Sequence, residues 1–217
     1  MSWKFWRSWS LYTLQRKQMS KSIAIKEPYP PGDLAIWIVI YIEFITFSLL
    51  FLGYAFSRGL DVELFNASQL VVSQTSGFVN TFILITSSYF VVKAVQSIRG
   101  MTAKTQKDSN KEASKWLLFA IICGIAFLVV KVTELSHIFG MGIHLSTNTY
   151  FMFYIMLTVF HFLHVLLGSV ILYIIYKKTK SYGYLPNDAS GIETGASYWH
   201  MVDLLWIVLF PLVYIIR

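Results

Sequence analysis

The sequence predicts an all-α, polytopic membrane bundle of five transmembrane helices, with its N-terminus cytoplasmic and its C-terminus periplasmic. Three observations carry that prediction. The first is composition: 56 % of the 217 residues are hydrophobic, 17 % are aromatic and only 13 % are charged, which lies outside the range of soluble domains. The mean hydropathy of +0.58 agrees. The second is that the apolar residues gather into five runs, each near the roughly 20 residues that cross about 30 Å of hydrocarbon. The third is that basic residues crowd alternate inter-run segments.

The runs cover approximately 33–56, 75–98, 115–137, 149–176 and 197–216. In lipid, backbone groups are satisfied only in helices or closed barrels, and the runs lack the period-two alternation of barrel strands. The fourth run is long enough to tilt or to project past the bilayer. No apolar core with a small-residue cleavage site precedes the first run, so that span is expected to act as its own insertion signal. Cys123, the single cysteine, falls inside the third run. That excludes an intrachain disulfide and a cysteine-based metal motif.

The net charge of +7 is explained by topology. Lys4, Arg7, Arg16, Lys17, Lys21 and Lys26 precede the first run. Arg99, Lys104, Lys107, Lys111 and Lys115 follow the second, and Lys177, Lys178 and Lys180 follow the fourth. The opposite side holds only Arg58 and Arg217. This is the positive-inside pattern for an odd number of helices that starts in the cytoplasm. No basic patch is left over for nucleic acid. Residues 1–31 read as a cytoplasmic, interfacial arm, because Trp3, Phe5, Trp6, Trp9 and Tyr12 alternate with Lys4 and Arg7. Pro28, Pro30 and Pro31 end it, and residues 32–217 form one membrane domain.

Ionisable side chains in hydrocarbon need a partner or a purpose. They are Glu43, Lys93, Lys131, Glu134, His161, His164, His200 and Asp203, with His137 at a helix end. At about 1.5 Å per residue, Glu43 lies about 15 Å into the first helix, and His161 and His164 reach roughly 18–23 Å down the fourth. The three therefore share a level and form the expected buried polar centre, with the two imidazoles on one helical face. Lys131 is the expected ion-pair partner of Glu134, and Lys93 is expected to snorkel to the cytoplasmic interface or to meet Asp203.

Glu134-x-x-His137 and His161-x-x-His164 have ligand-like spacing. Glu134 and Asp203, however, are separated by on the order of 20 Å along the membrane normal, too far for one dimetal centre. A bis-histidine haem needs imidazoles on facing helices, and no other histidine shares the depth of His161 and His164. No nucleophile with a base, phosphate loop or zinc motif stands out. The residues thus predict a hydrogen-bonded polar network, with no catalytic residues and no metal on this chain.

Two segments give a family resemblance. Phe160-His161-Phe162-Leu163-His164-Val165-Leu166-Leu167-Gly168-Ser169 resembles the F-H-x-L-H-V-x-x-G-S segment of cytochrome c oxidase subunit III. Tyr198-Trp199-His200-Met201-Val202-Asp203-Leu204-Leu205-Trp206 resembles the Y-W-H-x-V-D-x-x-W signature of its last helix. Glu43 is similar to the family's buried, carbodiimide-reactive glutamate, and Glu134 to a second family glutamate. Mitochondrial-type members have seven helices, and the first two, absent here, form one arm of a lipid-holding cleft. Pro31-Gly32-Asp33-Leu34-Ala35, Leu64-Phe65-Asn66-Ala67-Ser68-Gln69, Asn80-Thr81, Thr86-Ser87-Ser88 and Asp203-Leu204-Leu205-Trp206 are similar to the NorE-type protein associated with nitric oxide reductase.

The resemblance implies an accessory, non-catalytic subunit of a respiratory haem–copper oxidase or nitric oxide reductase in a bacterial inner membrane. It would support assembly, stability and proton uptake of a catalytic, haem-containing subunit I. Haem with copper or iron would belong to that partner. Membrane lipid would be a further partner, and bound phospholipid the chain's own ligand. The alternative is a stand-alone proton-coupled channel or transporter built on Glu43 and the histidines.

Overall fold

The structure is a computed structural model that describes residues 32–100, 106–185 and 189–216. The arm expected over 1–31 and the lysine at 104 lie outside them. Six helices follow in order: α1 (Leu34–Leu60), α2 (Val62–Gln69), α3 (Gln74–Arg99), α4 (Gln106–Gly140), α5 (Thr149–Lys180) and α6 (Ser190–Phe210). A π-helical turn, Pro211–Ile215, prolongs α6. All but α2 are long and apolar enough to cross a membrane, taking α6 with its turn. The five expected runs are therefore the five long helices. Short α2 was not anticipated, because eight residues that include Glu63, Asn66 and Gln69 carry no spanning signal.

α3 packs on α4, α4 on α5, α5 on α6 and α6 on α3, which closes a four-helix ring. α1 lies outside this ring, against α5 and α6. Only 11 % of its apolar window is buried, against 61 % for α6 with its turn, so α1 is the peripheral span. Its buried residues are Ile40, Phe47 and Tyr54. The seven-residue spacing makes a single seam along one face, while Ile38, Ile42, Ile45, Leu49, Leu52 and Phe56 face outward.

Lipid tails are as apolar as leucine, so helices in a bilayer hold together by close packing, which small residues permit. Trp199 of α6, fully buried, lies across two such residues. A Cβ on Gly124 would come within 2.9 Å of its indole, and one on Gly168 also within 2.9 Å. A Cβ on Gly195 would collide with Ile175 of α5, and one on Gly77 would stand 2.6 Å from the Phe210 ring. Gly168 and Trp199 belong to the two histidine segments singled out in the sequence, so those segments interlock.

The helix ends are tied by polar contacts. The last carbonyls of a helix lack intrahelical donors, and around the π turn side chains supply them. Gln69 Nε2 donates to the Val213 carbonyl (2.9 Å), as does the Tyr150 hydroxyl (3.2 Å). Gln74 Nε2 donates to the Tyr214 carbonyl (2.8 Å), and the Arg58 guanidinium to that of Ile216. Asn148 caps α5 by accepting from the Phe151 amide and also donates to Ser68 Oγ of α2, each at 2.9 Å. At the basic end, the Asp33 amide donates to Thr194 Oγ1 (3.0 Å), and Arg99 pairs with Glu193 at 2.7 Å.

Substituting Gly168→Val forces a branched side chain into the Trp199 indole. Overpacking of this kind is expected to destabilise the bundle by about 1–3 kcal/mol, read as a lower thermal midpoint in detergent. Gly59→Ala is the control, because no atom lies within 4 Å of a Cβ placed there. An unchanged midpoint for Gly168→Val would show that Trp199 is not wedged as described.

Candidate functional site

Three polar clusters lie within the spanning helices. The first joins α1 to α5: Glu43 Oε2 stands 3.1 Å from His164 Nε2. The contact has ion-pair distance but not hydrogen-bond alignment, since Glu43 Oε2 has no aligned partner. His164 Nδ1 lies 2.7 Å from the Phe160 carbonyl, an acceptor, so Nδ1 carries hydrogen. In a neutral ring Nε2 is then the bare nitrogen, and it is the one that faces the Glu43 carboxyl. Phe47 and Phe160 pack their rings on His164 at 5.5 and 4.8 Å. Glu43 keeps 21 % of its side chain exposed and His164 11 %.

His161, expected at the same centre, is elsewhere. Three residues along a helix is a rotation of about 60°, and α5 has neighbours on several sides. His164 thus turns to α1, while His161 points into the ring. It is fully buried between Phe127 and Trp206, with ring centroids at 5.7 and 5.1 Å. Neither ring nitrogen has a hydrogen-bond partner among the described residues.

The second cluster is at the end away from the basic loops. Lys131 Nζ lies 2.9 Å from Glu134 Oε2 within α4. Glu134 Oε1 accepts from the Tyr154 and Tyr214 hydroxyls, each at 2.8 Å. Lys131 also donates to the Tyr214 hydroxyl and sits 4.7 Å from the Trp206 ring centroid. Both charges are almost wholly enclosed, at 1 % and 4 % exposure. The ion pair is legible from spacing. The two tyrosines are not, because Tyr214 is brought in from α6. His137 is exposed and takes no part in this cluster; it borders a cavity of about 240 Å³ that reaches Glu134.

The third cluster joins α3 to α6. Ser88 Oγ lies 2.7 Å from His200 Nδ1, and Asp203 Oδ2 lies 3.8 Å from the same nitrogen. Of the two alternatives expected for Lys93, snorkelling to the interface or meeting Asp203, the second does not occur. Half-buried Lys93 lines a cavity with Glu112 and Trp116 of α4, and its ammonium is 5.5 Å from the Tyr89 ring centroid. Lys93 lies five residues beyond Ser88, about 140° around α3, so it looks to α4 while Ser88 meets the α6 face that carries His200 and Asp203. Among the described residues no three His, Cys, Asp or Glu side chains converge as a metal-holding group.

A family model described as cytochrome c oxidase subunit III matches residues 35–217. The chain belongs to that family. The cytochrome c oxidase subunit 3 of Thermostichus vulcanus is 30 % identical over 208 residues, 90 % of this chain and 94 % of the relative. That of Synechocystis sp. is 36 % identical over 139 residues, 64 % of this chain, and the match spans about half of the relative, 55 %. The quinol oxidase subunit 3 of Bacillus subtilis is 27 % identical over 188 residues, 84 % of this chain and 85 % of the relative. All three clusters lie within the region matched to subunit III.

Glu134→Gln leaves Lys131 as a buried charge without its counterion. A loss of about 3–5 kcal/mol is expected, again read from the thermal midpoint. The double variant Lys131→Met with Glu134→Gln removes both charges and is expected to recover part of that loss. Additive loss in the double variant would contradict the coupling.

Proposed function

We propose that this chain is an accessory, non-catalytic subunit of a respiratory haem–copper oxidase complex. The observation that carries the reading is the subunit III match over residues 35–217. The partner is the complex's catalytic subunit I, which holds haem with copper or iron, and the chain supports that subunit's assembly, stability and proton uptake. Most of the apolar surface of α1 is available to that partner or to lipid. Glu43 and His164 form the proton-holding centre at its edge.

In this reading the basic end is cytoplasmic, following the positive-inside rule. The arm over 1–31 anchors at the headgroups, and the protein resides in a bacterial inner membrane. Phospholipid fills the exposed flank of α1. The nitric oxide reductase complex is the second reading of the partner, favoured by Leu64-Phe65-Asn66-Ala67-Ser68-Gln69, which folds within α2.

Purification of the chain from its native host in mild detergent is expected to bring down a haem-containing subunit. The haem type and substrate of that protein separate oxygen from nitric oxide reduction. Recovery as a stable, haem-free monomer, together with proton flux in liposomes holding the chain alone, would overturn the reading in favour of a stand-alone transporter.

A further inference from the structure

A cavity of about 270 Å³ opens between α3 and α6 at the basic end. Gln96, Arg99, Glu193 and Ser197 form its polar edge, and His200 lies deeper within its lining. Arg99, with 56 % of its side chain exposed, pairs with Glu193 at this edge, which places the mouth at water. His200 has 35 % of its side chain exposed. Its Nδ1 faces Ser88 and Asp203, which leaves Nε2 for the cavity.

Asp203 behind it is buried, with 5 % exposure, and neither carboxylate oxygen has an aligned hydrogen bond among the described residues. A buried carboxylate without donors is costly as an anion, and an ionisable group at this depth calls for a function. From α6 it is faced by His200, and from α3 by Ser88, whose hydroxyl also meets His200 Nδ1. The charged groups of the other packed elements are engaged elsewhere: Glu43 of α1 with His164 of α5, and Lys131 of α4 with Glu134.

We propose that His200, Ser88 and Asp203 form a second proton-holding site, separate from Glu43 and His164 and fed through the α3–α6 cavity. One proton from cavity water binds Nε2 of neutral His200. The Nδ1 proton passes to the Asp203 carboxylate, directly or through the Ser88 hydroxyl. The products are neutral His200 in its other tautomer and the Asp203 carboxylic acid, and no bond between heavy atoms changes. A histidine suits this step because its two nitrogens face different surroundings. The site is defined on this chain alone and stands whichever partner subunit is bound.

The test is infrared spectroscopy of the full chain in lipid bilayers, with aspartate carboxyls labelled with carbon-13 to separate them from Glu43 and Glu134. A carboxylic C=O band that shifts with the label is expected, and Asp203→Asn is expected to abolish it. The band should exchange in deuterated buffer, and more slowly when Gln96→Trp obstructs the polar mouth of the cavity. Ala196→Phe, which fills the cavity from within, is the second obstruction. Absence of a label-sensitive band, its survival in Asp203→Asn, or unchanged exchange in both obstructed variants would overturn the proposal.

Discussion

The close approach of α5 and α6 is the contact on which the other placements depend. It is made by three successive pairs: Ile175 over Gly195, Gly168 under Trp199, and His161 against Trp206. None of them is an attraction that a longer side chain could replace. In a bilayer the gain from bringing helices together is packing, and packing needs matched shape. With this axis set, the remaining sides of α5 are assigned. His164 turns to α1, and Tyr154 turns to the α4 charge pair, where Tyr214 from the end of α6 also arrives.

The second constraint is the absence of water to complete unsatisfied groups. It explains why the C-terminal π turn is so heavily tied. Gln69, Gln74, Tyr150 and Arg58 all reach carbonyls of that turn or of the residue after it. Those donors come from α2, α3, α5 and α1, so the turn is the knot that fastens four helices at one end of the bundle. Short α2, invisible as a span, acts here: Gln69 reaches the turn while Ser68 meets the cap of α5.

The sequence was informative where physics acts locally along the chain and uninformative where it acts between distant segments. Hydropathy located the five spans because crossing a bilayer sets length and composition together. The Lys131–Glu134 pair was legible because three residues on a helix meet with no tertiary information. Sharing a depth also brought Glu43 and His164 together correctly. It failed for His161, because depth says nothing about which neighbour a helix face meets. The pairing of Ser88 with His200, and the two tyrosines on Glu134, required the order of helices around the ring. Of the two expectations for Lys93, the meeting with Asp203 needed the same information, since its depth matched Asp203 while its face belongs to α4.

The two buried glutamates show how environment divides one residue type into different tasks. Glu134 accepts from Lys131, Tyr154 and Tyr214, and its side chain is 4 % exposed. With three donors and an adjacent cation, every change of protonation would break bonds in α4, α5 and the π turn at once, which suits a fixed joint. Glu43 has a single imidazole at contact distance and keeps 21 % of its side chain exposed at the edge of the peripheral helix. Its contact with His164 is the one polar tie it makes among the described residues, and α1 is held by one seam of buried residues. The peripheral position of α1 is what separates the lightly held carboxyl of Glu43 from the enclosed one of Glu134.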